Sequence, residues 1–164
     1  MTDFVLNIKW TNIVWIITIV TLIILFFAGY SIMKRSGINW WYFNFPILLI
    51  IGGVLVVTLL MAPLSLKFSA TQLKICKIGG TTSISYNEIE KVGLVTFKSA
   101  TRVFGSGGLF GYIGRFSNRE LGVFMSYVGD PSHTFYLKTK NGKTYVLSCE
   151  HPEIAVEKLQ EMIQ

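Results

Sequence analysis

The chain has 164 residues with a formal net charge of +6; 51% of its residues are hydrophobic, 15% are charged, and its mean hydropathy is +0.51. Soluble domains carry about 25% charged residues, and here the shortfall is concentrated, with no charge from position 10 to 33 or from 36 to 66. That pattern argues against a soluble helical hairpin over the first third of the chain, and two cysteines without a CxxC pair or a companion histidine pattern exclude a cysteine-based zinc motif.

Each charge-free stretch is long enough for one crossing of a bilayer core of about 30 Å, which takes about 20 apolar residues in helix. The sequence places a first transmembrane helix near 13–33 ("IVWIITIVTLIILFFAGYSIM") and a second near 46–64 ("PILLIIGGVLVVTLLMAPL"). Pro46 suits a first helical turn, where its missing N–H costs nothing. Trp40, Trp41, Tyr42 and Phe43 before it have the character of a membrane–water interface, as do Trp10 and Trp15 at the start of the first helix. Gly52 and Gly53 would let the two helices approach closely. The first apolar run exceeds a signal-peptide h-region and no small-x-small cleavage site follows it, so the helix is read as retained.

Two crossings put both ends of the chain on one side. Lys9, Lys67, Lys74 and Lys77 flank the helices there, against Lys34 and Arg35 in the connecting loop. Positive flanks mark the cytoplasmic side, so the expectation is a multi-pass inner-membrane protein with its N-terminus and C-terminal domain in the cytoplasm. Cys76 and Cys149 would then be reduced.

A change of character divides the chain into a transmembrane hairpin, 1–66, and a domain, 67–164. Charges return and short alternating runs replace the helical period. "LKFSA" and "QLKICKI" read as strands joined at Ala70–Thr71, with Gly79–Gly80 as the next turn. "EIEKVGLVTF" and "LGVFMSYVG" are rich in β-branched and aromatic residues. In "FYLKTKNGKTYVLS", Asn141–Gly142 is the pair that a type I′ turn requires. "HPEIAVEKLQEMIQ" then places Ala155, Leu159, Met162 and Ile163 on one helical face, with Pro152 at the first helical position and Glu153 near the positive end of the dipole. These elements predict a mainly-β domain of six to eight short antiparallel strands in a small barrel or bent sandwich, capped by a C-terminal helix near 152–163.

Between them lies "VFGSGGLFGYIGRF", Val103–Phe116, with Gly105, Gly107, Gly108, Gly111 and Gly114 interleaved with aromatic residues. Together with the subsequent "LGVFMSYV", the Asn-Gly hairpin and "SCEHPE" opening the last helix, it resembles the bacterial PH-like domain family. The likeness covers roughly the last 60% of the chain. It departs from the family pattern at Cys149 and His151, where proline and acidic residues are usual. The resemblance implies a PH-like barrel of about seven strands with a capping helix, and it implies no particular reaction.

The glycine stretch is not a phosphate cradle. No Gly-Lys-Ser/Thr follows it, GxGxxG fails at Phe110, and it leads into strands rather than a helix. One reading gives the glycines tight turns and close strand approach, with Asn141 and Gly142 shaping the later hairpin, while the aromatics fill the interior. The other makes Arg102, Phe104, Leu109, Phe110, Tyr112, Arg115 and Arg119 a contact surface for a protein partner or the membrane. From Lys91 to Arg119 there are five basic residues and no acidic one, which suits anionic lipid or an acidic partner. Specific inositide binding is not expected, since the first hairpin offers only Lys67, Lys74 and Lys77. Nucleic acid is not expected either, because the basic excess is modest and no aromatic stacking motif accompanies it.

Catalytic constellations are sparse. His133 and His151 are the two histidines, and Cys149 with His151 lacks an orienting third group. No metal or cofactor motif is present. The sequence therefore predicts a non-enzymatic membrane protein whose cytoplasmic domain binds partners, possible oligomerisation included, as a scaffold or accessory module for another membrane protein. Sensing of the anionic membrane surface is the alternative, and a Cys/His-dependent enzyme is a third.

Overall fold

The computed structural model describes residues 4–34 and 38–163. Arg35, and the side chains of Trp40, Trp41 and Phe43, lie outside the described residues.

The chain opens with a strand that the sequence pattern does not announce, β1 (Phe4–Asn7), followed by helix α1 (Asn12–Lys34). Thr11 caps that helix. Its hydroxyl accepts the Val14 N–H at 3.4 Å and its carbonyl accepts the Trp15 N–H at 3.1 Å, satisfying donors that a helix start otherwise leaves open. Over Asn12–Ile32, α1 is long and apolar enough to cross a membrane. Its apolar side chains point in every direction, and Ile13, Ile16, Ile24, Phe26 and Phe27 are exposed. A helix apolar on all sides and largely uncovered has the character of a membrane span.

Helix α2 (Ile38–Leu60) differs from expectation at both ends. Pro46 lies inside it rather than at its first turn, because helical backbone already runs through the preceding residues. It stops at Leu60, since Pro63 has already entered the next strand. The described apolar part, Asn44–Leu60, is shorter than α1, so among the described residues α1 is the one candidate span by length and composition. Gly52 and Gly53 do not mark a close approach: a methyl group added at either would meet nothing within 4 Å.

Nine further strands come next among the described residues: β2 (Pro63–Phe68), β3 (Gln72–Lys77), β4 (Gly80–Ser85), β5 (Ile89–Leu94), β6 (Thr101–Gly107), β7 (Tyr112–Asn118), β8 (Gly122–Val128), β9 (Thr134–Thr139) and β10 (Thr144–Ser148), and then helix α3 (Pro152–Ile163). They form one four-stranded sheet, β1-β2-β3-β4, and one six-stranded sheet, β5-β9-β10-β8-β7-β6. The sheets pack face to face without closing into a barrel, so the bent-sandwich half of the expectation describes the fold.

Three details depart from the sequence reading. Among the described residues nine strands follow α2 where six to eight were expected, because the glycine-rich stretch and its flanks form a full hairpin, β6 and β7. β10 runs parallel to β8, because the β9–β10 hairpin slots between β5 and β8 rather than extending the meander. The Asn141–Gly142 turn is not type I′: only Gly142 has positive φ, at 77°, and its N–H is bonded to the Thr139 carbonyl at 2.8 Å. Both Thr139 and Lys143 bond across the turn, which makes a three-residue loop with glycine last.

The expected boundary at 66/67 falls inside β2. Phe4, Leu6 and Ile8 alternate with outward residues and join Leu66, Phe68, Leu73 and Ile75 in the main core, so β1 completes the first sheet from before the helices. From the other sheet come Ile113, Tyr127, Phe135, Leu137 and Leu147; α3 adds Ala155 and Leu159. A second core of Phe97, Phe116, Phe124, Val128 and Val146 lies on the outer face of the six-stranded sheet, under the segment between β5 and β6. Phe97 is its centre, with ring centroids 5.3 Å from Phe116 and 5.4 Å from Tyr112.

Candidate functional site

The glycine-rich stretch is a hairpin, β6 and β7 joined by an apex at 108–111. β6 is the last strand of its sheet. Its pairing depends on glycine: Gly105 and Gly114 face each other with φ of 119° and 122°. A side chain at Gly105 would collide with the Ile113 carbonyl, and one at Gly114 with the Phe104 carbonyl. Only glycine permits both the dihedral and the approach.

The apex is seated on α1. The Phe110 N–H donates to the Thr18 hydroxyl at 3.1 Å, and both residues are buried. A methyl group at Gly108 would lie 2.8 Å from the Ile17 side chain. Phe110 itself holds a positive φ of 57°, unfavourable for a bulky residue. Its ring enters the main core, 6.5 Å from that of Trp10, which lies 5.2 Å from Trp15. The Ser106 hydroxyl donates to the Leu109 carbonyl at 2.6 Å and the Gly108 N–H to the Gly111 carbonyl at 3.1 Å, holding the apex closed.

Three further contacts fix the start of α1. The Trp10 indole donates to the Pro63 carbonyl at 3.1 Å, the Thr11 N–H to the Gly129 carbonyl at 3.3 Å, and Lys9 pairs with Glu150 at 2.6 Å. The hydrogen bond and charge of Lys9 hold the Glu150 carboxyl below its ordinary pKa. At the other helix, the Gly79 N–H donates to the Leu60 carbonyl at 2.7 Å, so the β3–β4 turn closes the end of α2.

The residues singled out from sequence therefore divide. Phe110 is buried, Leu109 is half-buried against the main core, and Tyr112 lies against the second core. Phe104 is 77% exposed, and its neighbour Val103 is 58% exposed. Val103 is the extra residue of a bulge, since Arg102 pairs with Phe116 and Phe104 with Arg115. Such bulges re-aim side chains at sheet edges. Arg102, Arg115 and Arg119 are exposed, and no ion pair to any of them occurs among the described residues.

Beside β6 an open cleft of about 410 Å³ is floored by Phe97, Tyr112 and Phe116 and rimmed by Lys98 and Arg102. Phe97 escaped sequence reasoning because a lone aromatic between strands carries no periodicity. Thr18 also escaped, although a hydroxyl inside an apolar run was the available signal.

Cys149 and His151 border a smaller cleft of about 250 Å³ with Lys9, Asp130, His133 and Glu150. Burial pushes the Cys149 thiol up to about 11, and the hydrogen bond from the His151 main chain offsets this only in part. The His151 carbonyl accepts the Ala155 N–H at 3.2 Å, so His151 opens α3. His133 is paired instead with Asp130, at 2.8 Å. Among the described residues no three His, Cys, Asp or Glu side chains group as metal ligands would.

Neither the curated proteins nor the solved structures include a match to the chain. The family model described as bacterial PH domain does match, over residues 65–163, from β2 to the end of α3. That span covers more than half of the sequence and takes in the six-stranded sheet, most of the four-stranded sheet except β1, and the capping helix, and the chain belongs to the bacterial PH domain family.

Proposed function

We propose that this chain is a non-enzymatic, two-pass membrane protein whose cytoplasmic PH-like domain binds protein partners as a scaffold or accessory module. The observation that carries this reading is the exposed edge at β6. Val103 and Phe104 are exposed beside the exposed Arg102 and Arg115, while the apex of the same hairpin and much of β7 are packed. Exposed aromatic and arginine residues together are the composition of interface hot spots. The raised Cys149 thiol supports the non-enzymatic part, since a protonated thiol is a poor nucleophile.

The test is photo-crosslinking of the full-length protein in its native membrane, with the reactive residue placed in turn at Phe104, Val123 and Glu157. Protein adducts from at least one position are expected, and adducts from none would refute the module reading. Reporter fusions at the C-terminus test the topology: the cytoplasmic reporter should be active, and activity of the external one would reverse the orientation.

A second reading is favoured by the apex. Ile17 and Thr18 lie about 8–9 Å along α1 from Asn12, so a hairpin touching them sits near the level where α1 would enter the bilayer. The hairpin would then rest on the membrane surface. A spin label at Leu109 in anionic nanodiscs would gain accessibility to oxygen over a polar relaxant; equal accessibility in neutral and anionic lipid would remove this reading.

A further inference from the structure

We infer that β6 is a docking edge for an extended, acidic segment of a protein partner, which adds a strand beside β6 and places one apolar side chain in the neighbouring aromatic cleft. This inference rests on the binding-module reading and names the surface and the chemistry of the partner.

Four observations converge on it. β6 ends its sheet, so every second residue turns its N–H and C=O away from β7, and no backbone partner for that side of 101–107 occurs among the described residues. Edge strands are usually protected by charge, proline or a bulge that twists the edge away. Here the bulge leaves an apolar pair, Val103 and Phe104, uncovered on the edge strand. The cleft opens on the face of the sheet that carries Arg102 and Phe116, next to the free edge. Its aromatic floor and basic rim fit an apolar side chain with carboxylates beside it.

The charge decides among occupants. Lys98 and Arg102 rim the cleft, Arg115 pairs with Phe104, and the stretch from Lys91 to Arg119 holds no acidic residue. A second copy paired through the same strand would set these cations against their equivalents, which is unfavourable. A segment alternating acidic and apolar residues places its carboxylates on the face that carries Phe104 and Arg115 and an apolar side chain in the cleft on the Arg102 and Phe116 face, while main-chain bonds supply affinity.

The experiment uses full-length protein in nanodiscs of neutral phosphatidylcholine, with a displayed library of short random peptides as the probe. The expected result is enrichment of peptides alternating acidic and apolar residues. Their affinity should fall about tenfold or more in Arg102→Glu/Arg115→Glu and weaken with added salt. Backbone N-methylation of an enriched peptide should abolish binding at one set of alternate residues and spare the other, a signature of strand addition that simple charge attraction lacks. Enrichment without acidic bias, binding unchanged in the double variant, or indifference to N-methylation would each overturn the inference. So would tighter association with anionic vesicles than with any peptide, or β6-dependent dimers. Adducts from Val123 or Glu157 in the crosslinking test would leave the module reading standing even if β6 binds nothing.

Discussion

The apex and the edge of one hairpin use similar residues for opposite purposes. At the apex, Phe110 is buried in an unfavourable backbone conformation, and its amide is bonded to a hydroxyl on α1. A few residues earlier, Phe104 stands in water. Both are phenylalanines beside glycines, and composition does not separate them. The difference is what each meets: the apex reaches a helix that carries Ile17 and Thr18, whereas the edge reaches the end of a sheet. The first packs the hairpin onto α1, and the second is left uncovered.

That contrast can be broken most severely at its shared foundation. Gly114→Val would force a β-branched residue into a glycine-only dihedral and against the Phe104 carbonyl. A loss of about 3 kcal/mol or more is expected, and thermal unfolding of the purified protein would register it. Phe110→Ala comes next, because emptying a buried aromatic site costs about 3–5 kcal/mol. The same change at Phe104 should leave stability within about 0.5 kcal/mol. Equal losses at the two positions, read by denaturant titration, would erase the distinction between apex and edge.

Thr18→Val sharpens it further. The variant keeps the shape but removes the acceptor for the Phe110 N–H, at a cost of about 1–3 kcal/mol. Faster hydrogen exchange should appear at the apex and not along β9 or β10. Arg115→Gln, on the exposed side, should change stability by about 0.5 kcal/mol or less.

The smallest effect concerns Cys149, remote from the hairpin. Its thiol is raised by burial, so the folded state favours the neutral form. The associated stabilisation is complete below the ordinary thiol pKa and is lost as pH rises toward about 11. Cys149→Ala should flatten that alkaline loss. In the native protein at neutral pH, Cys149 should also react with iodoacetamide much more slowly than the more accessible Cys76, as mass spectrometry would show.

Patterns that are local were legible in the sequence. The α1 span, the strands on either side of Ala70–Thr71, the Asn-Gly hairpin as a hairpin, and α3 with its buried Ala155 and Leu159 all arise from periodicity or turn chemistry within a few residues. The rejection of a phosphate loop was equally local, since the glycines join two strands. β1 was not legible, because the alternation of Phe4, Leu6 and Ile8 is too short to specify a strand unless a partner is known. Its partner, β2, lies beyond two helices.

By itself, the sequence determined the apolar character of α1 and the β-rich composition of the C-terminal domain. Tertiary structure decided the parallel pairing of β8 with β10, the two open sheets instead of a barrel, and the Pro46 position inside α2. It also decided which of two similar phenylalanines is buried and which is exposed. The physical reason is that burial is a property of pairs of surfaces. Phe110 is covered because Trp10, Ile17 and Thr18 arrive from the other end of the chain, and no periodicity within the glycine stretch records their arrival.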